Sequence, residues 1–342
     1  MTVETDSLRI SGDEWDAAVR VLSSARQVTL VCHVAPDGDA LGSMLALAHV
    51  LKRAGVTVTS TWGDEPWDVP APYRWLPGID AAVAPPDVAD PLGVLVVLDT
   101  SSRDRLGVLG ALPERATEVV VIDHHAHAPE SAALPGVQLV DSACAATAVV
   151  VAELIRRLGA ELDEVSATLL YVGLVTDTGS FQHSVTTPSV HRLAARLLAA
   201  GARPDVVAQQ LWGSRPFGFQ RVLASALARV ALEPHAARGF GMAWTWIESA
   251  DLAAAGIGLD EVEPVIDVVR SAREADVAVV CKQDGDRFRV SIRSRGAVDV
   301  GAACASLGGG GHRLAAGFTS YDELDVTMAR LRTALDDAPP TG

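Results

Sequence analysis

The residues able to do chemistry fall into a few tight groups. His33-Val-Ala-Pro-Asp37-Gly-Asp39 follows an apolar run at 27–32, Asp99 follows one at 94–98, and Asp123-His124-His125 follows one at 118–122. A further acid, Asp177, ends a helical pattern at 164–176 and precedes Thr178-Gly179. Aspartate and imidazole together, without cysteine, suit hard or borderline divalent ions such as Mn²⁺, Mg²⁺ or Co²⁺. One ion cannot easily use so many acids and imidazoles, whereas two can if one carboxylate bridges them. Two ions about 3.5–4 Å apart clamp the attacking and leaving oxygens of a phosphoryl displacement.

Taken singly, these residues have plainer explanations. Asp99 before Thr-Ser-Ser could cap a helix, Asp37-Gly38-Asp39 could be a turn, and Asp177 a polar helix end. His49, His127, His183, His191 and His235 are read as ordinary structural histidines. Together the groups resist that reading. Acids packed side by side repel, and their pKa values rise unless cations join them.

A second signal is Ser306-Leu-Gly308-Gly309-Gly310-Gly311-His312-Arg313. Successive glycines expose backbone N–H groups and admit close approach of a ligand, and His312 and Arg313 add donors. Ser291-Ile-Arg293-Ser294-Arg295-Gly296, just upstream, suits phosphate or base contact. A flexible hinge beside surface arginines is the plainer alternative. No GK[ST], GxGxxG, GxSxG or HExxH signature is present.

The elements that must position these groups alternate in the first half. Strand-like runs at 27–32, 56–61, 94–98, 118–122 and 137–140 are interleaved with helical patterns at 13–25, 40–54, 105–111 and 146–158, with 62–91 as loop. This predicts a mostly parallel, doubly wound α/β sheet with helices on both faces, and ligands bind beyond the carboxyl ends of such strands. Helical patterns follow at 164–176, 188–200 and 217–231. Strand signals return at 241–246, 275–282 and 287–293, with helices at 261–271 and 321–338. The expected organisation is a catalytic domain over 1–200, a helical linker over 201–235, and a smaller α/β domain over 236–342.

Composition narrows the function classes. The chain has 342 residues, 49% hydrophobic and 21% charged, so a packed core is expected. The net charge of −15, the absence of a basic tract and an aromatic content of 5% speak against long nucleic acids as partners. No apolar run is long enough for a membrane span and residues 1–10 carry no secretion signal. Cys32, Cys144, Cys281 and Cys304 are scattered, which fits a reducing cytoplasm.

Asp123-His124-His125 with His33-x3-Asp37-x-Asp39, Asp99 and Asp177-Thr178-Gly179 resembles the DHH phosphoesterase family, and Arg293-Ser294 with Gly308–His312 resembles its associated C-terminal domain. Within the family the chain looks like the oligoribonuclease and pAp-phosphatase group, whose actinobacterial members are linked to cyclic dinucleotides. The resemblance implies that His33 and Asp37 bind one ion, that Asp39, His124 and Asp177 bind a second, and that Asp99 bridges them. His125 would face the scissile phosphate and Asp123 would support the cluster. Arg293, Ser294, Gly309, Gly310, Gly311 and His312 would hold the distal part of the substrate, in a cleft between the domains. Two Mn²⁺ ions, with Mg²⁺ or Co²⁺ as alternatives, and a homodimer are the further expectations. The implied substrates are short RNA such as pApA, 3′-phosphoadenosine 5′-phosphate, and cyclic di-AMP. A catalytically silent nucleotide sensor and a RecJ-type single-strand exonuclease are the alternatives.

Overall fold

The computed structural model describes residues 8–88, 92–125 and 133–339. The described chain divides into two compact units, 1–213 and 214–342. His127 and the tail of the 62–91 loop lie outside the described residues, as does the side chain of His312.

The first unit runs α1 (Gly12–Ser24), β1 (Gln27–Cys32), α2 (Gly38–Arg53), β2 (Thr57–Trp62), β3 (Val94–Leu98), β4 (Glu118–Asp123), β5 (Val137–Val140), α3 (Thr147–Arg157), α4 (Glu164–Asp177), α5 (Pro188–Ala199) and α6 (Pro204–Ala208). Its five strands pair in parallel, in the order β2-β1-β3-β4-β5. Strands buried on both faces carry apolar side chains at nearly every position, which is why β1, β3 and β4 read as unbroken runs. Val28, Leu30, Val96, Leu98, Val120 and Ile122 pack under the α-helices. The alternate residues Val31, Leu95, Val97, Val119 and Val121 meet Leu106, Leu109 and Leu112 on the other face.

That second face departs from expectation. The helix read at 105–111 is a 3₁₀ segment, Arg103–Leu109, broken at Gly107, where φ is +56°. A side chain there would also collide, since a Cβ on Gly107 would lie 2.3 Å from the Gly63 carbonyl oxygen.

Two helices that carry acids are drawn together by glycine. A Cβ on Gly42 of α2 would stand 2.4 Å from the Leu169 carbonyl of α4, and one on Gly173 would stand 2.6 Å from Asp39 Oδ1. Only glycine permits that approach. The two helices thus bring Asp39, in the first turn of α2, near Asp177 at the end of α4.

The second unit runs α7 (Phe217–Ala228), β6 (Ala231–Glu233), β7 (Met242–Ile247), α8 (Ser249–Ala255), α9 (Val265–Val269), β8 (Val277–Asp284), β9 (Arg287–Ser294), α10 (Val300–Ser306), β10 (Gly310–His312), β11 (Ala315–Ser320) and α11 (Leu324–Asp337). Its mixed sheet has the order β10-β11-β9-β8-β7-β6, with only β7 and β8 parallel. One face packs on α10 and α11, the other on α7 and α9. The helix read at 261–271 splits into a 3₁₀ turn, Leu259–Val262, and α9 around Pro264, whose missing N–H cannot continue the ladder.

The glycine run is only partly a loop. Gly310–His312 is an edge strand paired with β11. A Cβ on Gly309 would meet the Gly317 carbonyl at 2.2 Å and one on Gly311 the Ala315 carbonyl at 2.6 Å. The space saved at Gly309 and Gly311 is therefore filled by the protein's own β11, while Gly308 and Gly310 face open space.

Candidate active site

The sheet order changes direction between β1 and β3, the switch point at which ligands bind in open α/β sheets. His33 leaves β1 and Asp99 leaves β3 at this point, and Asp123 ends β4 beside them. Asp99 adopts a left-handed backbone with φ of +60°, an unusual state for a residue other than glycine. Its N–H donates to the Ile122 carbonyl at 2.8 Å, which ties it to the end of β4.

Asp37 caps α2, accepting the N–H groups of Asp39 and Ala40 on Oδ1 at 3.0 Å each. Its other oxygen lies 3.9 Å from His33 Nε2. Asp39 is fully buried and reads the start of α3. Oδ2 accepts Thr147 N–H at 2.6 Å, and Oδ1 accepts Ala148 N–H at 2.9 Å and the Ser43 hydroxyl at 3.1 Å. The positive end of a helix favours an anion there. The Thr147 hydroxyl also donates to Asp99 Oδ1 at 2.8 Å.

The histidines are oriented from behind. His33 Nδ1 bonds the Val34 carbonyl at 2.8 Å and His124 Nδ1 the Cys144 carbonyl at 3.3 Å. Carbonyls only accept, so each Nδ1 carries the hydrogen and each Nε2 presents a lone pair. His33 Nε2 faces Asp99 Oδ2 at 3.3 Å. His124 Nε2 faces Asp177 Oδ2 at 2.9 Å, Asp99 Oδ1 at 3.5 Å and Asp39 Oδ2 at 3.9 Å. Both Nε2 atoms are buried and neither makes a well-directed hydrogen bond.

Lone pairs pointed at carboxylates are unfavourable unless a cation or a proton lies between them. Burial pushes Asp39 and Asp99 well above the usual carboxylate range, and the neighbouring acids push them further. Burial works against a charged His124, yet Asp177, Asp39 and Asp99 raise its pKa to about 10. A divalent cation removes the conflict at every one of these groups. The residues fit such an ion in three sets of mutually close ligand atoms: His33, Asp37 and Asp99; Asp39, His124 and Asp177; and Asp99, His124 and His125.

Asp123 is set apart by its partners. Its Oδ1 accepts the N–H of His124 at 2.8 Å, the N–H of His125 at 3.1 Å and His125 Nδ1 at 2.7 Å. Burial would raise its pKa, but the His125 contacts more than offset this and hold it below the usual range. It is an anion that fixes the ring of its neighbour.

All eight residues singled out in the first half thus come together in the first unit. Sequence reasoning missed Thr147 and the Cys144 carbonyl; the threonine opening an apolar helix was the available signal. His49 pairs instead with Asp163 at 2.8 Å, and His191 stacks on Phe181.

In the second unit, Arg293 and Ser294 point to opposite faces of β9. Arg293 is half-buried and donates to the Ile292 carbonyl at 3.0 Å. Ser294 is buried on the α10–α11 face, where its hydroxyl donates to Asp276 at 2.7 Å and accepts Gly296 N–H at 3.0 Å. The strand's period of two puts Ser291, not Ser294, on the side of Arg293.

Comparison with known proteins agrees with this architecture. Residues 27–174 match the DHH family N-terminal domain and residues 251–337 the DHHA1 domain. The chain is 34% identical to the bifunctional oligoribonuclease and PAP phosphatase NrnA of Thermus thermophilus, over 90% of this chain and 89% of that protein. Among solved structures, an exopolyphosphatase-related protein from Bacteroides fragilis superposes with a TM-score of 0.87 at 21% identity, covering 96% of this chain and 97% of that one. RecJ from Thermus thermophilus, solved in complex with Mn²⁺, superposes with a TM-score of 0.56 at 16% identity, over 98% of this chain and 57% of that one. No helix among the described residues is long and apolar enough to cross a membrane.

Proposed function

Because the chain belongs to the DHH family and is a hydrolase of phosphate ester bonds, we propose that it cleaves short oligoribonucleotides such as pApA to mononucleotides and removes the 3′-phosphate of 3′-phosphoadenosine 5′-phosphate, using two divalent ions. The observation that carries this reading is the pair of buried imidazole nitrogens, His33 Nε2 and His124 Nε2, each turned toward buried carboxylates, Asp99 for the first and Asp99 and Asp39 for the second. His33, Asp37 and Asp99 would hold one ion, and Asp39, His124 and Asp177, with Asp99 shared, would hold the other. Mn²⁺ is the preferred ion, with Mg²⁺ or Co²⁺ able to substitute. When bound, such ions polarise a phosphoryl oxygen and lower the pKa of a water ligand.

The chain's own residues do the rest. Asp123 holds the Nδ1 hydrogen of His125, which directs that ring to the scissile phosphate, where it offsets developing charge. Thr147 fixes the Asp99 carboxylate that the two sites share. In the second unit, Arg293 and the backbone of Gly309–Gly311 contact the distal part of the nucleotide, with His312 as a further donor. The four free cysteines fit a reducing cytoplasm, and a homodimer is the proposed assembly.

The test is a substrate panel of pApA, longer RNA, 3′-phosphoadenosine 5′-phosphate, cyclic di-AMP and pyrophosphate under one Mn²⁺ condition, with EDTA as control. The highest kcat/KM is expected for pApA or 3′-phosphoadenosine 5′-phosphate, and none with EDTA. A dominant cyclic di-AMP activity would reassign the substrate. Release no greater than the enzyme-free blank, with and without EDTA, would favour a non-catalytic nucleotide sensor.

A further inference from the structure

Lys282, one of two lysines in the chain, is a buried cation that the proposed chemistry does not use. It lies in β8 with 2% exposure, and its ammonium donates to Ser291 Oγ at 2.9 Å and to the Glu263 carboxylate. The Ser291 hydroxyl reaches Glu263 Oε2 at 3.3 Å, closing a triangle. Glu263 itself stands at the rim, with 51% of its side chain exposed.

Register fixes the surroundings. Lys282 is opposite Arg289, Arg289 is opposite Thr319, and Ser291 is opposite Gly317. These residues share one face of the sheet with Arg293. A cavity of about 490 Å³ opens there, bounded by Lys282, Arg289, Ser291 and the glycines Gly308, Gly309 and Gly317. In a chain of net charge −15, this face carries Lys282, Arg293 and Arg289, the last already paired with Asp284 at 2.9 Å.

A purely structural ion pair explains this poorly. Burial pushes the Lys282 ammonium below its usual pKa, and a half-exposed carboxylate only partly offsets the desolvation. The geometry is that of an anion site whose present occupant can swing into water. A phosphate monoester carries nearly two negative charges and three acceptor oxygens, against one charge and two oxygens on Glu263. It would satisfy Lys282, Ser291 and the neighbouring backbone together.

We propose that Glu263 is an internal stand-in for the terminal phosphate of the substrate, occupying Lys282 and Ser291 until a phosphate monoester displaces it. This rests on the short-nucleotide reading above and adds which end group the second unit reads. Lys282 is then a specificity-determining residue, and Glu263 a built-in competitor.

The experiment uses the full chain with Mn²⁺ and compares KM for pApA and for ApA, which lacks the terminal phosphate. Glu263→Gln is expected to lower KM for pApA several-fold and to leave that for ApA in place. Lys282→Met is expected to raise KM for pApA by tenfold or more and erase its advantage over ApA. A Glu263→Gln variant with unchanged or raised KM for pApA, or with both substrates shifted equally, overturns the proposal. Should Lys282→Met fail to fold by thermal melt, the Glu263→Gln result decides alone. Binding of AMP to the full chain by calorimetry separates this inference from the catalytic reading. Tighter AMP binding by Glu263→Gln supports the stand-in even if the wild-type chain cleaves neither dinucleotide, and equal affinity contradicts it.

Discussion

Thr147 donates its hydroxyl to Asp99 Oδ1 at 2.8 Å, and its backbone N–H donates to Asp39 Oδ2 at 2.6 Å. One residue at the start of α3 therefore orients two of the buried acids, and those acids follow two neighbouring strands, β1 and β3. Partners behind a metal ligand set which lone pair faces the ion.

Replacing Thr147 by Val removes the hydroxyl donor while keeping shape and the backbone N–H. Mn²⁺ affinity is expected to fall about 10–100-fold, as for other partners of metal ligands. Thr147→Ser should restore most of it. Calorimetric titration of both variants checks this, and an unchanged affinity in Thr147→Val would remove the orienting role.

Gly42→Ala should be felt both in stability and at the site. The added Cβ would lie 2.4 Å from the Leu169 carbonyl, so α2 and α4 must separate. Overpacking of this kind costs about 1–3 kcal/mol. A lowered Tm together with weaker Mn²⁺ binding is expected, because Asp39 and Asp177 ride on those two helices.

The Asp163 carboxylate offers a pH test outside the active site. It caps α4 by accepting Ser166 N–H at 3.0 Å, and His49 and Arg53 also contact it. Burial would raise its pKa, yet the His49 and Ser166 hydrogen bonds hold it well below the usual carboxylate range. A depressed carboxyl stabilises the fold above its unfolded pKa of about 3.9, and the contribution fades as pH falls below that value. Asp163→Asn should therefore cost about 0.5–1 kcal/mol at pH 7, discounted for its partial exposure, and progressively less below about pH 4. Urea denaturation at several pH values measures the difference.

On the proposed role of His125 at the phosphate, His125→Ala should lower kcat by about 10²–10⁴-fold while Mn²⁺ stoichiometry is kept. Loss of bound metal in that variant would instead assign His125 to the ligand set.

Much of the first unit was legible because buried parallel strands announce themselves as apolar runs, and the acids and histidines follow their carboxyl ends directly. The 103–109 segment was misread because Gly107 breaks a helix-like pattern at a position where backbone approaches backbone. β10 and β11 were hidden because glycine and alanine carry no strand signal; their pairing is a matter of backbone hydrogen bonds and space. Thr147 could not be found from spacing, since its two partners are 48 and 108 residues away. Ser294 drew attention as the neighbour of Arg293, whereas alternation along β9 assigns that face to Ser291.

The most direct measurement is the number of Mn²⁺ ions bound per chain in the wild type and in Asp99→Asn, by calorimetry alongside circular dichroism. Two ions per wild-type chain are expected, with paired binding and pApA hydrolysis both lost in a folded Asp99→Asn variant. A folded Asp99→Asn variant that still binds two ions and turns over pApA at the wild-type rate, or a wild-type chain that binds none, would contradict the shared two-ion centre.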